Sequence, residues 1–423
     1  MVPTTLEVER LDGTDKVQFR YTFDLPNDTT RFEILSTSQD DGYSITATTG
    51  FSEGQQLTWD GKTASPSLTL EYTLPNDSNA GLRRVRTPFV GGQIERGDPP
   101  EEGHVDMVYK EPVNFDLDTT VEVTGEGRYV AGTVVLGSYT TYTETSYGQE
   151  ITLFVPDGVD MAVSPEDAVT ALVATERTIQ GDPHRDTYVF VQEGQIAAGG
   201  AGSTTARVFA GSDLEIYIHE QAHLDEVAYY DRKMGWFTEA SATYYGSDFY
   251  VVDGELRLKP AKLLERTDPE TKWPRGDHHN DSVLAEPSTW DSKTDYQKGS
   301  RLLFALDAKL RAATDGDATI HDLMRRVNEE GGYRALNYTE FRGIVVDLGG
   351  EGTGSWLDPY VLTSQNPPQP NASAFGPTPT FANGTTNTSG DSRETFEFGI
   401  DIPSEDPQAP SPRRWRSTLM GRL

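Results

Sequence analysis

Hydrophobic and polar residues alternate in the first part of the chain. Val17, Phe19, Tyr21, Phe23 and Leu25 are separated by polar positions, the two-residue period of a strand with one buried face. Leu68, Leu70, Tyr72 and Leu74 repeat the pattern, and both runs stop at Leu-Pro-Asn-Asp, at 25–28 and 74–77. Proline removes a ladder donor there and Asn-Asp favours a turn. Further β-rich runs at 121–123 and 129–136, with glycines between them, predict an antiparallel β-sandwich over residues 1–148.

The rhythm changes near Glu150. The apolar run 151–155 reads as a buried strand, and Ser164-Pro165-Glu166-Asp167 supplies an N-cap with proline at the first helical position, predicting a helix to about Ile179. A second buried strand at 188–191 precedes the Gly/Ala-rich segment 197–202. Ser212-Asp213-Leu214-Glu215 then reads as a capping box that opens another helix. Helices follow near 236–245, at 296–313 with Leu302, Leu303, Leu306 and Leu310 on one face, and at 320–329 with Ile320, Leu323, Met324 and Val327 aligned. An α/β layer that turns helical is the architecture these periods predict for 149–362, making the chain multidomain α+β. Beyond Val361, nine of the 25 prolines fall in the last 61 residues, mixed with Asn, Thr, Ser and Gly. A tail over 363–423 is therefore predicted to be largely disordered.

Composition narrows the function classes. The 423 residues carry 36 Lys+Arg against 67 Asp+Glu, a net charge of -31. Such a surface repels phosphate backbones, and no basic stripe is visible, which excludes nucleic acid as a partner. No uncharged apolar run approaches the roughly 18 residues of a membrane-spanning helix, so no transmembrane segment is expected. Lysine is much rarer than arginine, and with the excess of carboxylates this resembles the composition of proteins from salt-loving archaea. The chain has no cysteine, so any metal must be held by histidine and carboxylates. Its first residues do not read as a signal peptide. Sequons at Asn27, Asn76, Asn280, Asn337, Asn371, Asn383 and Asn387 nevertheless fit an extracellular or cell-surface location.

The candidate chemistry is concentrated in His219-Glu220-Gln221-Ala222-His223, an H-E-x-x-H on the helix that the 212–215 cap predicts. Residues four apart share a helical face, so both imidazoles reach one tetrahedral ion with Glu220 beside it, a spacing that suits zinc. A catalytic zinc needs a third protein ligand and an open position. Glu239, on the next predicted helix after a turn at 231–235, is the candidate.

The surrounding residues carry a resemblance. Trp236-Phe237-Thr238-Glu239-Ala240-Ser241-Ala242-Thr243-Tyr244-Tyr245, followed by Tyr296-Gln297-Lys298-Gly299 and the leucine-rich helix after it, is similar to the gluzincin metallopeptidases. The similarity is greatest to the glycyl aminopeptidase family and more distant to the aminopeptidase N family, and it covers roughly 150–361. It implies a thermolysin-like catalytic domain over 149–362 that hydrolyses a peptide or protein substrate. His219, His223 and Glu239 would hold Zn2+, Glu220 would act as general base, and Tyr296 would stabilise the oxyanion.

Three departures accompany it. Ala240 and Ala242 replace the family's Gly and Thr, the connection from His223 to Glu239 is shorter than in aminopeptidase N, and Ala197-Ala198-Gly199-Gly200-Ala201-Gly202 lacks the carboxylate that holds a substrate's free amine in aminopeptidases. That last absence leaves the end preference open. It also supports an alternative, a non-catalytic zinc-binding surface or adhesion-type protein that retains a peptidase-like domain. A metal-free structural surface protein is the third reading.

Other clusters carry less chemistry. Asp277-His278-His279-Asn280-Asp281 reads as a solvated loop. Asp225 or Glu226 would orient a ligand histidine or belong to an acidic surface face. Tyr244 and Tyr245 read as packing residues, and His104, His184 and His321 as structural or surface histidines.

Overall fold

The computed structural model describes residues 1–37, 42–52, 56–74, 83–96, 113–114, 117–195, 197–202, 204–252, 254–258, 281–290, 293–332, 334–370 and 372–375. They fall in one compact unit, Met1–Ala382. Asn76, His104, the cluster at 277–280, and the sequons at Asn371, Asn383 and Asn387 lie outside the described residues, as does the expected tail from 376 onward.

The alternating N-terminal segments form two five-stranded sheets. In the first, the strand order is Leu117–Thr124, Val2–Arg10, Lys16–Phe23, Ser67–Thr73, Tyr43–Thr49. In the second it is Val113–Asn114, Val90–Arg96, Thr29–Thr37, Leu57–Trp59, Phe51–Ser52. One hydrophobic core joins them, with Phe19, Phe23, Leu68 and Leu70 from the first sheet meeting Phe32, Ile34 and Ile94 from the second. The Phe23 and Phe32 ring centroids are 5.2 Å apart.

One expectation needs correction here. The first sheet is not purely antiparallel, because Val2–Arg10 pairs in parallel with Leu117–Thr124, Leu6 opposite Val121. A parallel pair requires a long crossover, and most of this region's strands lie within it. The β-rich run 129–136 falls within a hairpin. Gly127–Val130 and Thr133–Leu136 turn back through Ala131 (φ 45°) and Gly132 (φ 78°), the paired positive φ angles of a tight two-residue loop.

The next sheet positions the site. Its order is Tyr139–Ser146, Gln149–Pro156, Thr187–Gln192, Thr205–Phe209, Gly199–Ala201; the middle three strands are parallel and the two outer ones antiparallel. Both faces are buried, which is why these strands read as continuous apolar runs. Phe154 and Phe190 pack on Val130 and Val135. Leu153, Val155, Val189 and Val208 face helices α1 (Pro165–Ile179) and α2 (Leu214–Asp225).

The remaining helices, α3 (Trp236–Asp248), α4 (Ser300–Ala313), α5 (Ile320–Gly331), α6 (Tyr338–Gly349) and α7 (Glu351–Leu362), enclose a core that includes Trp236, Phe237, Leu302, Leu306, Leu323, Phe341 and Leu357. The periods of the chain do not predict α6 and α7 as helices. Asn337 caps α6, its side-chain oxygen accepting from the Glu340 N–H at 3.1 Å, so this sequon is occupied as a helix cap. Past α7, Phe375 stacks on Phe304 of α4 with centroids 4.7 Å apart, so the segment beyond Val361 begins with chain packed on the helical core.

Candidate metal centre

Helix α2 starts one residue later than a Ser212 cap implies. Asp213 is the N-cap and accepts from the Glu215 N–H at 3.1 Å. The Ser212 hydroxyl is engaged elsewhere, accepting from the Ala198 N–H at 3.2 Å and donating to the Ala198 carbonyl at 3.1 Å. This bond ties the small-residue edge strand Gly199–Ala201 to the start of α2. The strand runs so close to the helix that a β-carbon at Gly199 would lie 2.4 Å from Glu220 Oε1 and 2.7 Å from its Cδ.

After α2 the chain turns at Asp231, whose Oδ1 accepts from the Lys233 and Met234 N–H groups at 2.9 and 3.1 Å. Helix α3 then returns across α2. Gly246 makes the approach possible, since a β-carbon there would lie 2.8 Å from the Glu215 carbonyl oxygen and 2.9 Å from His219 Cβ. The crossing brings Glu239 Oε2 to 3.6 Å from His219 Nε2 and 3.3 Å from His223 Nε2; the two Nε2 atoms are 3.2 Å apart.

These three separations form a triangle of the size that one small tetrahedral ion requires. Metal-to-donor bonds of about 2.0–2.1 Å at the tetrahedral angle give donor-to-donor edges of about 3.3–3.4 Å. The donor set of two imidazoles and one carboxylate is that of a catalytic zinc site, and Glu239 Oε2 is buried with no well-directed hydrogen-bond donor. The residues therefore fit the ion.

Charge in the cluster is shared unevenly. Burial opposes ionisation of Glu239, but the two neighbouring imidazoles outweigh it and hold the carboxyl well below its usual range. Burial also opposes a charged His223, yet Glu239, with Glu220 and Glu226 nearby, raises it to about 9. His219 is lowered, by burial first and by the charge on His223. Glu220 is outside the triangle. Burial raises it to about 7, and its Oε2 has no hydrogen-bond partner, so it is an available base and not a ligand already committed.

Tyr296 comes from a turn whose shape the sequence does not predict. Residues Asp295–Gly299 form a π-helical turn ahead of α4. The buried Lys298 donates to the Ser282 carbonyl at 2.6 Å. Gly299 packs on α3, where a β-carbon would sit 2.7 Å from Ala240 Cβ. Held at both points, the turn sets the Tyr296 ring parallel to the His219 imidazole, with a 4° interplanar angle and centroids 6.2 Å apart. Burial and the Glu239 carboxylate raise the phenol, which keeps it a donor.

The surrounding residues divide into two groups. Glu226 accepts from the Ser241 hydroxyl at 2.5 Å and contributes negative charge at His223. Asp225 instead accepts from Gln221 Nε2 at 2.7 Å, on the side of α2 that faces Glu176. Tyr244 and Tyr245 are core residues that also donate or share hydrogen bonds, Tyr244 to Asp307 Oδ2 and Tyr245 with His321 Nδ1, each at 2.9 Å. His321, which has no partner in the sequence pattern, thus has one across 76 residues of chain. Gly199, Gly246 and Lys298 are the site-shaping residues missed by the sequence. Lys298 left a trace there as part of Tyr-Gln-Lys-Gly, and Gly199 as part of the Gly/Ala-rich segment 197–202, but the sequence predicts neither contact.

No protein-family model and no curated protein matches the chain. Among solved structures, an aminopeptidase N family protein from Idiomarina loihiensis is 11% identical over 86% of this chain and 76% of its own, with a TM-score of 0.58, which shows a shared fold. An M1 zinc metallopeptidase from Deinococcus radiodurans is 17% identical, covering 88% of this chain and 95% of its own, with a TM-score of 0.49. Yeast LTA4 hydrolase is 13% identical over 88% and 69% of the respective chains, with a TM-score of 0.41.

Proposed function

We propose that the chain is a zinc-dependent metallopeptidase whose ion is held by His219, His223 and Glu239. The observation that carries the reading is the donor triangle of 3.2, 3.3 and 3.6 Å with an uncommitted carboxylate alongside it. Zinc supplies Lewis-acid chemistry at such a site, polarising a carbonyl and acidifying water near neutral pH. Glu220 takes the proton from the attacking water and passes it to the departing amine. The Tyr296 hydroxyl donates to the carbonyl oxygen as negative charge develops on it. The edge strand Gly199–Ala201 offers backbone groups along which an extended peptide aligns.

A purely structural ion needs neither a buried base nor a phenol aimed at the ligand cluster, which is why hydrolysis is preferred over the surface-binding alternative. The thermolysin-like description of the catalytic unit and the kinship with glycyl aminopeptidases belong to this same reading. So does an extracellular, salt-rich setting, supported by the acidic composition and by the sequons other than the capping Asn337.

The decisive experiment is a fluorogenic peptide library offered at high salt to chelator-stripped protein before and after one equivalent of zinc. Cleavage that appears only with zinc is the expected result; metal-independent cleavage, or none in either state, would end the proposal. His223→Ala removes one corner of the triangle, so the purified variant is expected to retain less than a tenth of an equivalent of zinc by atomic absorption, roughly the loss from weakening a structural ligand set. Tyr296→Phe is expected to keep full zinc and lose roughly 10²-fold in kcat with KM little changed, the signature of a donor used in the transition state.

A further inference from the structure

The charge distribution around the edge strand is opposite to that of the whole chain. Between Glu193 and Asp213 the only ionisable residue is Arg207, although the protein has 67 acidic residues in 423. That interval contains the edge strand and its neighbour Thr205–Phe209, which pair with Gly200 opposite Arg207 and Gly199 opposite Val208. The two glycines leave both faces of the edge strand bare. On one face the Glu220 carboxylate lies against Gly199; on the other the Arg207 side chain lies over Gly200, its Nε 3.6 Å from where a β-carbon would be.

A base and a guanidinium are therefore separated by little more than a backbone without side chains. Their charges act on each other, and Arg207 is among the groups that favour ionised Glu220. Arg207 is exposed and makes no ion pair or side-chain hydrogen bond among the described residues. Arg10, Arg128, Arg177 and Arg232 are likewise exposed without an ion pair among the described residues, so what distinguishes Arg207 is its place, across a bare strand from Glu220. A cation at that position, in a stretch with no acid of its own, can receive its counter-charge from a bound substrate.

We propose that Arg207 anchors a carboxylate of the substrate next to the scissile bond, so that the preferred substrates are peptides bearing a negative charge there. This rests on the peptidase reading above and deepens it. A peptide laid along the edge strand passes within reach of a guanidinium whose planar fork matches a carboxylate with two parallel hydrogen bonds. The same strand has no carboxylate to hold a free amine, so its charge selects against an N-terminal ammonium and for an anion. The anion is either the C-terminal carboxylate or an Asp or Glu side chain; both have this chemistry.

The test uses the zinc-loaded full chain and quenched fluorescent hexapeptides that carry Glu or Gln beside the cleaved bond, each made as C-terminal acid and C-terminal amide. Wild-type protein is expected to favour one carboxylate-bearing member over its neutral partner by roughly tenfold in kcat/KM, the scale of a charge-assisted pair partly covered by substrate. The acid-to-amide and Glu-to-Gln ratios identify which carboxylate is held. In Arg207→Gln the ratio is expected to fall to about one, and in Arg207→Lys to remain above it. The same peptides are titrated calorimetrically against Glu220→Gln protein with and without Arg207→Gln, where the Kd ratios should change in parallel. Ratios that are the same in the presence and absence of the guanidinium, or a preference for the neutral peptides, would overturn the proposal. If zinc-loaded wild-type protein cleaves no peptide, the peptidase reading fails separately, and the binding ratios still decide the role of Arg207.

Discussion

Glu220→Gln is expected to lower kcat/KM by roughly 10³-fold, the scale of general-base catalysis, while the protein still binds one zinc. The donor triangle does not include Glu220, so the ion's protein ligands are untouched. The same substitution is expected to act in the opposite direction on stability. Burial raises the Glu220 carboxyl from 4.5 to about 7 in the metal-free fold. Between those values the folded state keeps a proton that the unfolded chain releases, so stability falls as pH rises through that window, and the whole cost is present above pH 7. A neutral glutamine of the same shape removes the cost. Metal-free Glu220→Gln should therefore be more stable than metal-free wild type by up to about 3 kcal/mol at pH 8, the difference narrowing as pH falls toward 5. Urea melts of the two stripped proteins at both pH values measure it. A variant that keeps zinc and full activity, or one less stable at pH 8, would show that the buried carboxylate has another task.

Gly199→Ala is expected to produce a loss about one order of magnitude smaller, from a single methyl group. The added carbon would overlap Glu220 Oε1, Cδ and Cγ at 2.4 to 2.7 Å, so the whole carboxyl must move and not just its tip. A displacement on the order of 1 Å at a reacting group costs roughly 10²-fold in rate. Zinc content should be unchanged, because the ligands come from α2 and α3. The cause is checked in the Glu220→Gln background, where there is no base left to misplace and the methyl should cost little more. A full hundredfold loss in that background as well would point to damage to substrate alignment and not to the base.

These two residues also show what the amino-acid order reveals and what it does not. Glu220 is legible because its relation to His219 and His223 is set within a single helical turn. Glu239 is legible only in its surroundings of Trp236, Phe237, Tyr244 and Tyr245, since one acid among so many carries no signal of its own. Gly199 is legible only as part of a Gly/Ala-rich segment; its contact with Glu220 is not, because that forms when an edge strand settles on a helix 15 residues further along the chain. The π-helical turn under Tyr296 is hidden for a similar reason: Lys298 and Gly299 are held by Ser282 and Ala240, which are remote in sequence. Helices α6 and α7 escape notice because glycines at 343, 349, 350, 352 and 354 and Pro359 argue against helix locally. Burial of Phe341, Ile344, Val345 and Leu357 overrides that preference. The parallel register of Val2–Arg10 with Leu117–Thr124 spans more than a hundred residues, and no short-range period encodes it.

Because Gly246 has no side chain where α3 crosses α2, main chain there rests almost directly on main chain, and the distance between the histidine-bearing and glutamate-bearing helices has a hard stop. Elsewhere in the helical core, exchanges among leucine, isoleucine and methionine alter melting temperature by small steps and leave that stop where it is. Over evolutionary time the interior is thus free to drift while affinity for the ion stays constant, and a single replacement at 246 would couple the two again.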